Sequence, residues 1–287
     1  MDGEKKKVLV AGATGYLGSY VAREFKRRGC FVRALARSPQ KLASIRDSLD
    51  EVVEAQITRP GTLKDACNGI DIVFSSVGIT RQKEGLTFRD VDYQGNKNLL
   101  EVAQRAGVKK FIYTSVYRGP SLLHLAIVKA HEDFVTVLET SDMDYTVVRP
   151  NGFFSDMGEY LKMAEKGRVY LIGRGGNRIN PIHGADLAEV CVNAAEADLR
   201  EIDVGGPEIL THREIARLAF GSLGKKERIS SVPIWMMRAL VFLTKALNKH
   251  QGELLAFMTE AMSTDAVAPA AGSRTLSEYF HELAVQE

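Results

Sequence analysis

The sequence is poor in cysteine, tryptophan and excess charge. Its 287 residues include 3 Cys and 1 Trp, and the formal net charge is +2. Cys30, Cys67 and Cys191 are far apart and show no CxxC spacing, so they predict reduced thiols, with neither a disulfide framework nor a metal site. The nearly balanced charge gives no reason to expect a nucleic-acid partner.

Long hydrophobic runs are also missing. The most apolar stretch, residues 233–247, is too short to cross a bilayer and carries Arg238 and Lys245. It predicts a buried or interfacial helix, and peripheral contact with a membrane or a protein is one use of such a helix. The large side chains of this stretch are predicted to lie either in the hydrophobic core or in the wall of an apolar pocket: Trp235, Met236, Met237 and Phe242.

The N-terminus is charged, and the apolar run after it is short and breaks into glycines, unlike the core of a signal peptide. Together with the reduced thiols, this pattern predicts a cytoplasmic protein without an integral membrane segment. A small-molecule substrate is then the expected partner.

Short apolar runs alternate with helical patterns over the first half of the chain. We predict strands at residues 8–12, 31–37, 51–57, 71–77, 110–116 and 145–150. Helices are predicted at residues 16–28, 63–67, 91–106 and 123–139. This order indicates right-handed crossovers and an α/β fold with a doubly wound parallel sheet.

The strongest motif is GATGYLG at residues 12–18, where the first strand meets the first helix. Gly12 permits the tight turn, Gly15 lets backbone amides approach a pyrophosphate, and Gly18 allows close packing of helix and strand. The partial positive charge of the helix N-terminus faces the phosphates. The motif predicts a dinucleotide-binding Rossmann fold with cofactor contacts at Gly12, Thr14, Gly15, Tyr16, Leu17 and Gly18.

The end of the second strand predicts which dinucleotide is preferred. In NAD-binding proteins an Asp or Glu at this place binds the ribose 2′-hydroxyl. Here Arg37 and Ser38 occupy it, and Lys41 follows. A carboxylate would repel a 2′-phosphate, whereas a guanidinium pairs with it. The cofactor is therefore predicted to be NADP(H) in preference to NAD(H).

The strict alternation of strands and helices ends after Pro150. We predict a dinucleotide-binding Rossmann domain over residues 1–150 and a smaller mixed substrate lobe over residues 151–287, with residues 201–206 returning to the sheet. Thr211 and Glu214 have the spacing of a capping box and predict the start of a helix.

With these residues in place, the chain resembles a known family. The GxxGxxG spacing, Arg37 and the segments 68–78, 91–115 and 144–154 together resemble atypical short-chain dehydrogenases/reductases, within the NmrA-like NAD(P)H-binding group. The resemblance covers most of the chain. It implies the fold and the cofactor, and it extends both to reductases and to proteins that bind dinucleotide without turnover.

The resemblance also implies catalytic roles. Ser115 stands at the catalytic-serine position and Lys129 at the position of the YxxxK lysine, which binds the nicotinamide ribose. The tyrosine position holds Leu125, so the usual proton donor is missing. Two nearby tyrosines remain: Tyr113, which points the same way as Ser115 on the strand, and Tyr117 in the loop that follows, where it could swing toward a substrate. Tyr117 is the predicted replacement, and Ser115, His183, water or the substrate are the other candidate proton sources.

The remaining predicted cofactor contacts lie after later strands. Gln56 stands where the family often has an adenine-binding Asp, and an amide also pairs with the adenine edge. By resemblance, Val77 and Gly78 lie beside the ribose. The end of a sheet strand is where nicotinamide and substrate meet. These positions complete the predicted set: Gln56, Ile57, Val77, Gly78, Pro150, Asn151, Gly152 and Phe153.

Three functions remain open at this point. The first is an NADPH-dependent reductase acting on a carbonyl or conjugated alkene of a small apolar substrate. The second is an NADP(H)-responsive binding or regulatory protein without turnover, because Leu125 replaces the tyrosine. The third, an epimerase or dehydratase acting on a nucleotide sugar, ranks below both since those enzymes use the same tyrosine.

Overall fold

A computed structural model of the chain describes residues 5–79 and 85–285. The strands are β1 (Lys7–Ala11), β2 (Phe31–Ala36), β3 (Glu51–Glu54), β4 (Ile72–Ser75), β5 (Lys110–Thr114), β6 (Asp144–Pro150), β7 (Val169–Ile172), β8 (Arg178–Ile179), β9 (Glu201–Val204), β10 (Leu210–Thr211) and β11 (Ile229–Val232). The helices are α1 (Tyr16–Arg27), α2 (Asn96–Arg105), α3 (Ala126–Glu139), α4 (Phe154–Glu165), α5 (Gly184–Asn193), α6 (His212–Ser222), α7 (Ile234–Leu247), α8 (Lys249–Ser263) and α9 (Leu276–Val285).

The chain divides into two compact units. One contains Met1–Arg149 with Leu187–Ile202, and the other contains Pro150–Asp186 with Asp203–Glu287. The main sheet has seven parallel strands in the order β3-β2-β1-β4-β5-β6-β9. The chain order reverses between β1 and β4, and such a switch point is where open α/β sheets bind their ligands.

Strand β1 shows why the strands are apolar almost throughout. Leu9 packs in one cluster with Leu99 of α2 and Phe134 of α3. Val8 and Val10 point to the opposite face, since side chains alternate along a strand, and they are also fully buried. A sheet covered on both faces needs apolar residues at consecutive positions. The predicted fold class, a doubly wound parallel sheet, is confirmed.

Two predicted helices differ from the structure. Residues 63–67 are not helical: a short 3₁₀ turn, Pro60–Leu63, is followed by turns. The predicted helix 91–106 begins as the π-helical segment Arg89–Gly95 and becomes α-helical only in α2. Asp92 of the π-helical segment and Asn96, the first residue of α2, are both fully buried.

The second unit has its own core. Phe154 of α4, Phe220 of α6 and Phe280 of α9 are buried in one cluster. Two small ladders accompany it: β7 pairs in parallel with β11, and β8 pairs in antiparallel with β10. At the start of α6, the Glu214 amide donates to Thr211 Oγ1 and the Thr211 amide donates to Glu214, which confirms the predicted capping box.

Among residues 5–79 and 85–285, no helix combines the length and the hydrophobicity needed to cross a membrane. The apolar stretch at residues 233–247 forms α7, and none of the residues of α7 is buried. Trp235 is 71% exposed and Phe242 is 74% exposed. The expectation that this stretch forms part of the core is therefore wrong.

Candidate functional site

The turn between β1 and α1 is built by three glycines. Gly12 has φ +92°, and a side chain there would reach within 2.8 Å of Ser76 Oγ. The Gly15 amide donates to the Gly12 carbonyl at 2.8 Å, which closes the turn. A Cβ on Gly18 would lie only 2.9 Å from the Ala13 nitrogen, so the helix and the turn touch through backbone atoms. No side chain caps α1, and its first turn has no acidic residue.

These features favour an anion at the start of α1. Backbone amides of a helix N-terminus and its dipole both attract phosphate, and a carboxylate in the first turn would oppose it. Thr14 and Gly15 are exposed, Tyr16 is half-buried, and Leu17 is buried beneath the turn. The backbone therefore has the cradle that a pyrophosphate requires, and added side chains at the glycines would fill it.

A cavity of about 280 Å³ lies beside this turn. It is lined by Thr14, Arg37, Ser38, Lys41 and Gln56. Two cations and three hydrogen-bonding side chains thus converge on one space, and no carboxylate is in the lining. This donor set suits an anionic group with several oxygens, such as a phosphate on a ribose.

Gln56 and Ile57, the predicted contacts on the adenine side, make different interactions. The Gln56 side chain donates to Thr58 Oγ1 at 2.8 Å, which fixes its amide beside the cavity. Ile57 is buried, and its carbonyl accepts a hydrogen bond from Asn98 at 2.8 Å. A Cβ on Gly95 would lie 2.6 Å from Ile57 Cδ1. Ile57 therefore serves packing of the π-helical segment.

The loop after β4 carries the next predicted contacts. The Ser75 hydroxyl donates to Asn96 Oδ1 at 2.6 Å, and the Asn96 amide donates to the Val77 carbonyl at 3.1 Å. Buried Asn96 thus fixes the backbone of Val77. Gly78 is exposed, and a Cβ there would lie 2.8 Å from the Asp92 carboxylate. The absence of a side chain at Gly78 lets the loop lie directly on Asp92.

A chain of polar side chains runs beneath Gly78. The Tyr113 hydroxyl and His131 Nδ1 are 2.6 Å apart, and His131 Nε2 lies 3.1 Å from Asp92 Oδ1. Tyr113 and Asp92 are both fully buried. Burial, and then the negative charges of Asp92 and Glu132, raise the pKa of Tyr113 well above its ordinary value. Tyr113 therefore stays protonated and holds His131 in place.

Ser115, at the end of β5, belongs to a second buried network. Its hydroxyl donates to Glu132 Oε1 at 2.6 Å, and Glu132 also forms an ion pair with Arg149. Arg149 is 3% exposed and contacts Glu201 at 3.3 Å as well. Burial opposes its charge, but the hydrogen bonds and charges of the two glutamates raise the pKa of Arg149. The Ser115 oxygen also accepts a long hydrogen bond from Arg149 Nη1 at 3.5 Å, so Glu132 and Arg149 together fix the hydroxyl.

The other predicted catalytic groups lie at the start of α3 and before it. Leu125 is buried at the N-cap of α3. Lys129 is 57% exposed and pairs with Asp133 one turn later at 2.7 Å. Tyr117 is half-buried in the turn after β5. Lys129 is thus accessible to a ligand, whereas Leu125 has no proton to give.

In the second unit, the predicted contacts after β6 are engaged in structural roles. The Asn151 amide donates to Asn180 Oδ1 at 2.7 Å and to the Ala266 carbonyl at 2.6 Å. Gly152 has φ +79°. Phe153 forms the N-cap of α4 and pairs through its backbone with Ile182. Pro150 is buried at the end of β6. These bonds fix the segment 150–153 at the start of α4.

His183, the other candidate proton source, also has structural contacts. Its Nδ1 accepts the Ala185 amide at 3.1 Å, and its ring packs edge-on against Phe154 and Tyr279. Burial, and then the charge of Arg274, lower the pKa of His183. A neutral imidazole is a weak proton donor, so this environment favours a structural role.

The sequence reasoning missed four polar residues of the first unit: Asp92, Glu132 and Arg149, which are buried, and His131, which is partly buried. Arg149 had a usable signal, since it is a charge inside an otherwise apolar predicted strand. The other three stand in helical patterns where polar residues are ordinary. Only the tertiary fold brings these three residues into the polar networks of Tyr113 and Ser115.

A seven-stranded sheet of this order with a glycine turn after its first strand defines a dinucleotide-binding α/β protein. Residues 12–198 match the family described as NAD(P)H-binding. The chain belongs to this family, which confirms the family predicted from the sequence.

Three known proteins illustrate the relationship. Photosystem II assembly factor Ycf39 of Synechocystis sp. is 30% identical over an alignment of 244 positions that covers 83% of this chain and 74% of that protein. Divinyl chlorophyllide a 8-vinyl-reductase of Oryza sativa subsp. indica is 29% identical over an alignment of 317 positions that covers 96% of this chain and 78% of that protein. The NADPH-dependent quinone oxidoreductase QOR2 of Escherichia coli, solved with NADPH, shares the fold with a TM-score of 0.73 at 20% identity, covering 96% of this chain and 99% of that one.

Proposed function

We propose that this protein binds NADP(H) in preference to NAD(H) and reduces a small apolar substrate. The cavity lined by Arg37, Ser38 and Lys41 carries the cofactor part of the proposal. Its two cations complement a 2′-phosphate, which is the group that distinguishes NADPH from NADH. The glycine turn at Gly12 and Gly15 would hold the pyrophosphate.

Replacing Arg37 with alanine tests the preference. We expect NADPH binding to weaken by about 10- to 100-fold, which corresponds to the loss of one or more charge-assisted hydrogen bonds, about 1.5–3 kcal/mol. NADH binding should stay within about twofold, since NADH lacks the phosphate. Titration calorimetry of both cofactors provides the measurement.

Arg46→Ala is the matched control, because Arg46 is an exposed arginine in the same connecting segment and outside the cavity. It should leave both affinities unchanged. Equal affinities of the parent protein for NADPH and NADH would contradict the proposed preference.

The reaction we propose is reduction of a conjugated alkene or a carbonyl. NADPH, when bound, supplies a hydride, and the substrate must also gain a proton. Hydride transfer to a carbonyl concentrates negative charge on one oxygen, so the reaction needs a proton donor beside that oxygen. Hydride transfer to a conjugated alkene gives an anion whose negative charge is spread over the conjugated atoms, so water suffices as the proton source. Leu125 at the tyrosine position therefore favours the alkene, and a relative of this chain is named a vinyl-reductase.

In this reaction Lys129 is proposed to bind the ribose of the cofactor, and Ser115 to accept a hydrogen bond from the ligand. Tyr117, which is half-buried in the turn after β5, is proposed to donate the proton. The Ser115 proton is donated to Glu132, so Ser115 can offer the ligand only its oxygen, as an acceptor.

Turnover tests this part of the proposal. Purified protein should oxidise NADPH in the presence of at least one member of a panel of enones, quinones and aldehydes, with the enones fastest. Lys129→Ala should lower kcat/KM by about 10- to 100-fold, as expected for one lost charge-assisted hydrogen bond. Lys162→Ala is the control, because Lys162 is equally exposed and also pairs within its own helix, with Glu159.

A second function is favoured by the residues around the missing tyrosine. Leu125 gives no proton, the Ser115 hydroxyl is bonded to Glu132, and a relative is named an assembly factor. These observations support an NADP(H)-responsive binding protein without turnover. Two results together would select this function over the reductase. The protein would bind NADPH tightly without substrate-dependent oxidation of NADPH, and Lys129→Ala would change neither the binding nor the oxidation rate.

A further inference from the structure

Helix α7 exposes an unusual amount of apolar side chain. Its most exposed large apolar residues are Trp235 at 71%, Phe242 at 74% and Leu247 at 90%. Met236, Leu240 and Leu243 are also exposed. Isolated apolar residues are common on protein surfaces, but a contiguous group of this size marks a contact surface.

The exposed side chains lie on one side of the helix. At about 100° per residue, residues 235, 236, 239, 240, 242, 243, 246 and 247 fall within an arc of about 160°. All eight are apolar, and we call this arc the apolar face. The charged residues of α7, Arg238 and Lys245, fall outside it. Lys245 pairs with Glu253 of α8 at 3.1 Å, so α8 packs against the opposite side.

Basic residues surround the apolar face in the sequence. The segment 225–249 has six of them, Lys225, Lys226, Arg228, Arg238, Lys245 and Lys249, and one acidic residue, Glu227. Glu227 is paired with Arg217 at 3.5 Å. Since the whole chain has 38 basic and 36 acidic residues, the rest of the chain is slightly acidic. The excess positive charge of the chain thus lies in the segment 225–249, where Lys245 is paired with Glu253 of α8.

We propose that the apolar face binds an anionic lipid bilayer and that α7 lies in the plane of its interface. Interfacial helices combine an apolar side containing Trp, Phe and Leu with flanking Lys and Arg, which is the composition found here. With 14 residues, α7 is too short to span the bilayer. The cations would contact lipid phosphates while the apolar face enters the acyl boundary.

Electrostatic repulsion argues against a second copy of this chain as the partner of the apolar face. A two-fold interface places the same surface on both partners, so the cations around α7 would face one another and repel. The apolar face also has no polar side chain among its eight positions, whereas protein interfaces satisfy about one hydrogen bond per 100–200 Å². An anionic bilayer is complementary to both features.

The chain contains a built-in reporter, because Trp235 is its single tryptophan. We expect its emission to shift to shorter wavelength with vesicles containing phosphatidylglycerol, and to be quenched when the lipid acyl chains are brominated. Binding to these vesicles should be at least about tenfold tighter than to phosphatidylcholine vesicles, given several cations at the surface. Flotation of the purified protein with each vesicle gives an independent measure.

Two double variants keep Trp235 as the reporter and separate the contributions of the apolar side chains and of the cations to vesicle binding. Phe242→Ser combined with Leu247→Ser should weaken binding at least about tenfold, since both side chains are removed from the acyl boundary. Arg238→Gln combined with Lys249→Gln should reduce the preference for phosphatidylglycerol. Ile209→Ser is the control, because Ile209 is 54% exposed and lies outside α7. All variants change exposed positions, so equal melting temperatures should confirm that each is folded.

Three outcomes would overturn the proposal. One is the absence of both a Trp235 shift and flotation with phosphatidylglycerol vesicles, which would leave a protein as the occupant. Another is equal binding to the two vesicle types. The third is a dimer in sedimentation that the Phe242→Ser and Leu247→Ser changes dissociate, which would assign the apolar face to contact between copies.

Discussion

Replacing Arg149 with methionine should lower the free energy of unfolding by about 3–5 kcal/mol. Arg149 and Glu132 are 3% and 8% exposed and form an ion pair with each other. Methionine keeps most of the side-chain length and removes the charge. Glu132 then remains buried with the Ser115 hydroxyl at 2.6 Å as a hydrogen-bond donor. A buried carboxylate without a cation is far more costly than the loss of the attraction alone.

Urea denaturation of three variants separates these contributions. Arg178→Met is the surface control, since Arg178 pairs with Asp265 while both are more than half exposed, and it should cost at most about 1 kcal/mol. Arg149→Met combined with Glu132→Met should recover most of the stability, because the uncompensated charge is then gone. A loss for Arg149→Met no larger than for Arg178→Met would show that the buried pair does not stabilise this unit.

Local sequence patterns were sufficient for the sheet and for the cofactor turn. Gly12, Gly15 and Gly18 have roles that depend on a few neighbouring backbone atoms, so their spacing alone predicts the turn that the structure contains. Arg37 and Lys41 were placed near a ribose position by their distance from the turn. The structure brings both to one cavity.

The structure departs from the sequence prediction where burial depends on distant parts of the chain. Asp92 stands in an ordinary helical pattern, and only the π-helical turn and α3 enclose it beside His131. Periodicity likewise identified α7 as apolar. The periodicity does not tell whether another element covers Trp235, and in the structure that side chain is exposed. Hydrophobic patterning predicts what needs burial, whereas tertiary packing decides what is buried.

Replacing Gly18 with alanine should weaken NADPH binding by about 100-fold. A Cβ at this position would lie 2.5 Å from the Gly12 carbonyl carbon and 2.9 Å from the Ala13 nitrogen, and it would clash with the Gly12 carbonyl oxygen. All three are backbone atoms and none can rotate away. Helix α1 must therefore move from the turn, and a displacement near 1 Å at a positioned contact costs about 100-fold. Overpacking should also lower the free energy of unfolding by about 1–3 kcal/mol.

Gly221→Ala is the matched control. Gly221 also lies inside a helix, α6, and a Cβ there would meet no atom within 4 Å. Alanine has the higher helix propensity, so this change should raise the free energy of unfolding by up to about 1 kcal/mol and leave NADPH affinity unchanged. Calorimetric titration and thermal unfolding of both variants provide the comparison. Unaltered NADPH affinity in Gly18→Ala would mean that the cofactor does not depend on the close contact of α1 with the glycine turn.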